Sequence, residues 1–343
     1  MLAVFAATLL VAGLTLYAVL GGADFGSGAW DMTAGRGRRG ARIRAILESS
    51  MGPVWEANHV WLIFTLVVMW TSFPEAFAAV MSTMYIPLFL AAAGIILRGS
   101  SYAFRPFTTG TVFEWPSTIA FGLASILTPF FLGTVVGGIA GGHVPPGNAA
   151  GDAISAWWNG TGIMVGVMAV VTGAYLAAIF TMADAERRGA TDLLEAFRRR
   201  SLWAGVASGA VAIATLPVIN SDAPRLFDRL TTGPGLPALI ASFAAGGATL
   251  WLVWTRRATL ARWGGALAVA AIAVGWALAQ SPYLLPYWAT VEGVAAPDAT
   301  LWALAGAAVV FVLVSVPSLV LLFRLTLTDR LAHPLPDPEP EHA

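Results

Sequence analysis

Nine stretches of roughly 20 apolar residues recur along this 343-residue chain, and its charged residues gather in short clusters between them. A hydrocarbon layer about 30 Å thick takes about 20 residues of helix to cross. Lipid also offers no hydrogen-bond partner to the backbone, so only helices or a closed barrel can span it. The stretches lie near residues 2–22, 53–71, 76–97, 117–139, 160–183, 201–219, 236–254, 263–280 and 301–323. Their apolar runs are unbroken, whereas a membrane barrel would alternate apolar and polar residues. An all-α integral membrane protein of about nine transmembrane helices is expected, one polytopic domain over residues 1–330. The first stretch has neither a basic leader nor a clear cleavage site and reads as a retained helix. The tail, 331–343, with Pro334, Pro336, Pro338 and Pro340, reads as a disordered cytoplasmic end.

Composition narrows the chemistry. Only 11% of residues are charged, against about 25% in soluble proteins, while 57% are hydrophobic and the net charge is zero. A nucleic-acid partner would need a basic face, which a neutral chain of this kind does not offer. There is no cysteine, which excludes disulfides, thiolate haem ligation and iron–sulfur clusters in this chain. Every Lys/Arg position is arginine, so a P-loop lysine and a lysine Schiff base are excluded as well.

The arginines alternate with the stretches. Arg36, Arg38, Arg39, Arg42 and Arg44 follow the first; Arg98 and Arg105 follow the third; Arg187, Arg188, Arg198, Arg199 and Arg200 follow the fifth. Arg256, Arg257 and Arg262 follow the seventh, and Arg324 and Arg330 the ninth, leaving only Arg225 and Arg229 on the other side. Basic loops stay in the cytoplasm, so the amino terminus is expected outside and the carboxyl terminus inside. Trp157, Trp158, Trp251, Trp254, Trp263 and Trp288 stand near span ends, where amphipathic rings prefer to lie. Glycines spaced by four, Gly22/Gly26, Gly133/Gly137 and Gly205/Gly209, are expected at close helix crossings.

A carboxylate at membrane depth is costly and marks a site until explained otherwise. Two segments qualify. One is the glycine-rich run Gly21 to Gly28, with Asp24 at the inner end of the first span. The other, Gly52-Pro53-Val54-Trp55-Glu56-Ala57-Asn58-His59-Val60-Trp61, opens the second. Glu56 lies about one turn into that helix, where the helix dipole favours its charge. His59 shares its face, and Asn58 points elsewhere. Antiparallel first and second spans could bring Asp24 near Glu56. Residue chemistry leaves two readings open here: a turn cap and a helix start, or a path for protons from the cytoplasm through bound water. Glu75 reads as solvated or capping, and His143, His333 and His342 lie outside the spans. The methionines read as core filler, and Trp55 and Trp61 as packing residues. His59 is the only histidine near membrane depth and cannot by itself hold a multi-haem centre.

The segment Gly52 to Leu62 resembles the subunit II signature of bd-type quinol oxidases, in which Gly-Pro-x-Trp is followed by an acid, a small residue, Asn and then Trp-Leu. Leu20 to Gly28 resembles the family's acidic end of the first helix. Phe73-Pro74-Glu75, Tyr85 to Leu90, Ile96-Leu97-Arg98-Gly99 and Phe104-Arg105 follow in the family's order, and Gly173 to Ala177, Ser281 to Pro286 and Pro297 to Leu301 continue it. The chain departs from the pattern at Gly21 and Ala103, where the family commonly has acids. It also departs at Ala23 (an aromatic), Glu56 (aspartate) and Ala57 (glycine). The resemblance implies two four-helix bundles plus one peripheral helix. It implies a partner subunit I that carries haems of the b and d types, with a quinol substrate and no haem ligand in this chain. A small single-helix subunit and membrane lipid are further partners of that kind of complex. Signature residues by this likeness are Gly52, Pro53, Trp55, Trp61, Arg98 and Arg105, and the proton path would use Glu56, Asp24, His59 and Asn58. Two other classes compete: a secondary transporter, which should show broken helices in paired halves, and a non-catalytic membrane scaffold.

Overall fold

In the computed structural model the described residues are 1–52, 54–108, 110–328 and 335. Pro53, Arg330, His333, His342 and the tail other than Leu335 lie outside them. Among these residues eight helices are long and apolar enough to cross a membrane. The first is one rod, Leu2–Met32, made of α1 (Leu2–Leu16), a π-helical turn (Tyr17–Gly21) and α2 (Gly22–Met32). It runs ten residues past the expected end at 22, because a backbone leaving water gains more from an unbroken hydrogen-bond ladder than glycine's poor helix propensity costs it. Asp24 therefore sits inside a helix, roughly 33 Å along the rod from Leu2 at 1.5 Å per residue.

The link after it is also helical. In α3 (Gly37–Met51), Ile43, Ile46, Leu47 and Met51 are buried while Arg38 and Arg39 face out, the pattern of an amphipathic helix lying against a bundle. Helix α4 (Trp55–Ser72), where a ninth span is expected, is 18 residues long but is not among these eight, and Glu56, Asn58 and His59 in its first turns dilute its apolar character. The expected third span, 76–97, is two helices, α5 (Pro74–Thr83) and α6 (Tyr85–Thr108), broken at Met84. Pro87 explains the break, since it has no N–H to give to the carbonyl of Thr83.

The remaining helices are α7 (Glu114–Ala140), α8 (Gly160–Arg187), α9 (Thr191–Asp222), the short α10 (Pro224–Thr231), α11 (Leu236–Trp254), α12 (Ala258–Gln280) and α13 (Asp298–Leu327). The rod α1–α2 packs with α4, α5, α6 and α7 as one bundle; α8, α9, α11 and α12 form a second; α13 lies outside both, against α1 and α4. Two four-helix bundles and a peripheral helix result. Between α12 and α13 a small hairpin, β1 (Tyr283–Leu285) with β2 (Ala289–Thr290), closes the arginine-poor end. Trp288 there donates to the carbonyl of Val144 at 2.9 Å.

Small residues join the bundles. A Cβ on Gly26 would stand 2.0 Å from the carbonyl oxygen of Gly173, and one on Gly133 or Gly137 would come within 2.7 Å of the Cα of Gly166 or Gly162. Helices α2 and α7 thus lie backbone-to-backbone on α8, and Trp30 adds a bond to the carbonyl of Ala174 at 2.8 Å. Of the third pair, Gly205 meets Tyr175 and Leu250, while Gly209 faces open space. At the arginine-rich end Arg42 pairs with Asp192 at 2.9 Å, and Arg262 holds both Asp184 and the carbonyl of Phe180.

Because Gly26 meets backbone that cannot step aside, Gly26→Val is expected to cost about 3 kcal/mol or more. Gly22→Ala, whose new Cβ would meet nothing nearer than 3.8 Å, should be close to neutral. Thermal unfolding of the two variants in detergent checks the contrast.

Candidate functional site

Arg98 is the centre of the polar interior. It lies in α6 with its side chain 2% exposed, against an Asp24 that is 0% exposed. Its guanidinium reaches α2 with both terminal nitrogens: Nη1 donates to Oδ2 of Asp24 at 2.8 Å, and Nη2 to Oδ1 at 2.8 Å and to the backbone carbonyl of Asp24 at 3.0 Å. The Nε donates to Ser125 Oγ in α7 at 3.0 Å. Ser125 in turn donates to the carbonyl of Phe121 at 2.7 Å. The rings of Phe25 and Phe121 lie 5.1 and 4.9 Å from the guanidinium carbon, one from each neighbouring helix. A forked pair with every charged atom occupied is the form in which two buried charges are tolerable in lipid.

Two turns further along both helices the pattern repeats. Arg105 donates to Oδ2 of Asp31 at 2.7 Å, and Asp31 is 2% exposed with Oδ1 left without a protein partner. The same seven-residue step separates Asp24 from Asp31 and Arg98 from Arg105, so one face of α2 matches one face of α6 as a two-rung ladder. Between the rungs and α3 lies a small polar recess lined by Asp24, Asp31, Glu48, Arg98, Tyr102 and Arg105. About 10 Å³ of it is open to water centres, on the order of one water molecule.

The second predicted segment borders this ladder but does not join it. Glu56 is exposed in the first turn of α4, so it stands at the surface while Asp24 is fully enclosed and occupied by Arg98. Asn58 is buried and donates to the carbonyl of Leu20 in the π turn at 3.3 Å. His59 lies among the rings of Tyr17, Phe25 and Trp55, at 6.0, 5.8 and 6.2 Å. Trp55 packs on Tyr102 at 5.3 Å. A Cβ on Gly52 would stand 2.3 Å from the Tyr102 hydroxyl. Trp61 is buried, edge-on to Phe311 of α13 at 5.9 Å.

Residues 2–326 match the family described as cytochrome bd terminal oxidase subunit II. The chain belongs to this family. Cytochrome bd ubiquinol oxidase subunit 2 of Bacillus subtilis (strain 168) is 31% identical over 118 residues, covering 34% of this chain and 33% of the relative. Cytochrome bd-I ubiquinol oxidase subunit 2 of Escherichia coli (strain K12) is 27% identical over 128 residues, covering 37% of this chain and 32% of the relative. These matches span about a third of the length of the curated relatives. A chain of the bd oxidase from Geobacillus thermodenitrificans has the same fold, with a TM-score of 0.74 and 24% identity over 96% of this chain and 99% of that one. This subunit II is therefore a multi-pass membrane protein.

Within the family likeness Arg98 and Arg105 entered as signature residues, and the ladder gives them a physical role: each holds an acid of α2. Asp31, Glu48, Tyr102 and Ser125 did not stand out in the sequence. A matched acid spacing, Asp24/Asp31 against Arg98/Arg105, is the signal that could have found Asp31. No group of three His, Cys, Asp or Glu side chains suited to a metal ion occurs among the described residues.

If the Asp24–Arg98 pair is a closed unit, removing one charge strands the other. Arg98→Met alone is expected to cost about 3–5 kcal/mol, and Asp24→Leu/Arg98→Met together much less than the sum of the two single changes. Unfolding midpoints of the two single variants and the double variant give the coupling directly.

Proposed function

We propose that this chain serves as subunit II of a quinol:oxygen oxidoreductase in the plasma membrane, beside a haem-bearing subunit I with haems of the b and d types. In that reading quinol is oxidised and oxygen is reduced to water in the partner. Reducing one oxygen molecule to water takes four electrons and four protons, so a haem buried in lipid needs a proton supply. The arginine-rich end faces the cytoplasm, the amino terminus lies outside, and a small single-helix subunit completes the complex.

The observation that carries the reading is the recess between α2, α3 and α6, with acids at three depths. Glu48 is half-buried; Asp31 has one oxygen without a protein partner; Asp24 lies at the bottom, held by Arg98. Each of the lower two acids is paired with an arginine, so the field around the recess comes from two ion pairs. A proton arriving on water would be held by this field and handed inward, and Glu56 at the exposed start of α4 widens the collecting surface. Asn58 bonds to the π turn through the carbonyl of Leu20, and His59 lies among Tyr17, Phe25 and Trp55 outside the recess. The two full ion pairs, aligned along one helix face, favour this reading over a transporter, whose site needs an open cavity for a substrate.

In the purified two-subunit complex, Glu48→Gln/Glu56→Gln is expected to slow quinol-driven oxygen consumption and proton uptake by about 10²-fold with the haem spectrum unchanged. Wild-type rates would leave the chain a scaffold. Orientation has a separate check, since the chain has no cysteine of its own. A membrane-impermeant thiol reagent applied to intact cells should label Asn148→Cys and spare Arg38→Cys.

A further inference from the structure

Tyr17 opens the π-helical turn, and its side chain is 7% exposed. Its ring lies 6.0 Å from that of His59 and 6.5 Å from that of Phe25, and Phe25 is 5.8 Å from His59. The Tyr17 hydroxyl and His59 Nδ1 are both buried, and neither has a protein hydrogen-bond partner. Trp61 belongs to the same packed cluster as Tyr17 and Phe25, and its Nε1 is buried and unpartnered too. Folded proteins satisfy nearly all such atoms, with bound water where no side chain reaches. The Tyr17 hydroxyl and His59 Nδ1 are thus two buried polar atoms without a protein partner on rings that lie 6.0 Å apart.

These rings adjoin the ladder. Phe25 is shared, its ring facing Arg98 at 5.1 Å on one side and His59 on the other. Tyr17 precedes Asp24 by seven residues, roughly 10 Å farther along the rod toward the arginine-poor side. The π turn between them is the kind of local unwinding that recurs at functional sites.

We infer that the Tyr17 hydroxyl and His59 Nδ1 hold a short chain of bound water that relays protons from the Asp24–Arg98 recess toward the middle of the membrane. The inference rests on the proton-supply reading above and extends it inward. A phenol hydroxyl and a neutral imidazole nitrogen can each exchange a hydrogen bond as donor or acceptor, whereas an indole N–H only donates. Tyr17 can therefore take a proton from water on one side and release its own to water on the other, with no net change. Trp61 can anchor a water molecule but cannot pass a proton. Tyr17 and His59 are positioning residues for proton transfer and touch no reacting centre in this chain.

Tyr17→Phe tests the inference, because it keeps the ring against Gly21 and Phe25 and removes only the hydroxyl. In the complex with the haem-bearing partner, quinol-driven oxygen uptake is expected to fall about ten-fold or more, with an unchanged haem spectrum and a larger solvent isotope effect in D₂O. Wild-type turnover with a wild-type isotope effect would overturn the relay. If Tyr17→Phe fails to assemble, His59→Leu measured in the same way decides with the same two outcomes. The Glu48→Gln/Glu56→Gln complex separates the two levels. If it is slow and the Tyr17 variant is not, only the relay falls; if both run at the wild-type rate, the proton-supply reading falls with it.

Discussion

A carboxylate and a guanidinium fully withdrawn from water set the terms for the rest of this fold. Each ion leaves several kcal/mol of hydration behind, which only tight geometry and complete hydrogen bonding offset. Asp24 and Arg98 meet that demand with two direct nitrogen–oxygen contacts at 2.8 Å, a third bond to backbone and a fourth to Ser125. Such a pair tolerates little slack, so α2, α6 and α7 must stand at fixed heights and rotations relative to one another. A Cβ on Gly28 would come within 2.1 Å of Ser125 Oγ. The glycine is what lets α7 approach closely enough for that serine to reach the arginine.

The glycine-rich character of α2 follows from the same requirement. On one face Gly28 admits Ser125; on another Gly26 admits the backbone of α8. Lipid supplies no hydrophobic drive to push helices together, so contact must come from close packing and interhelical bonds. The rod therefore does two jobs with small residues: it seats the ion pair of the first bundle and joins that bundle to the second. Arg42–Asp192 and Arg262–Asp184 then fasten α3 to α9 and α12 to α8 at the arginine-rich end, where the helices emerge into a more polar medium.

Much of this was legible in the chain before any coordinates. The long apolar helices, the acid at Asp24, the polar start of α4 and the two signature arginines all show in local pattern, because lipid imposes length and apolarity on the helices that cross it. The partners did not show. Asp24 meets Arg98 across 74 positions, and nothing local distinguishes that pairing from a meeting with Glu56. The rod's continuation through Gly21 to Gly28 was hidden by glycine's reputation as a helix breaker, which carries little weight where water cannot compete for the backbone. Helix α3 was passed over because its arginines dominate its composition, yet its buried stripe of Ile43, Ile46 and Leu47 brings Glu48 to the recess. Pro87 is the sign of the break at Met84, and the hydrophobic run around it hides that sign.

The departure at Gly21 takes on a physical meaning once Tyr17 is placed. A Cβ on Gly21 would stand 2.8 Å from the Tyr17 ring, so a larger side chain at position 21 and this orientation of Tyr17 exclude each other. In this chain the Tyr17 ring occupies the space beside position 21. A phenol stays neutral where a second carboxylate beside Asp24 would need a second counter-charge in lipid, and it still offers an oxygen that can give and take a hydrogen bond.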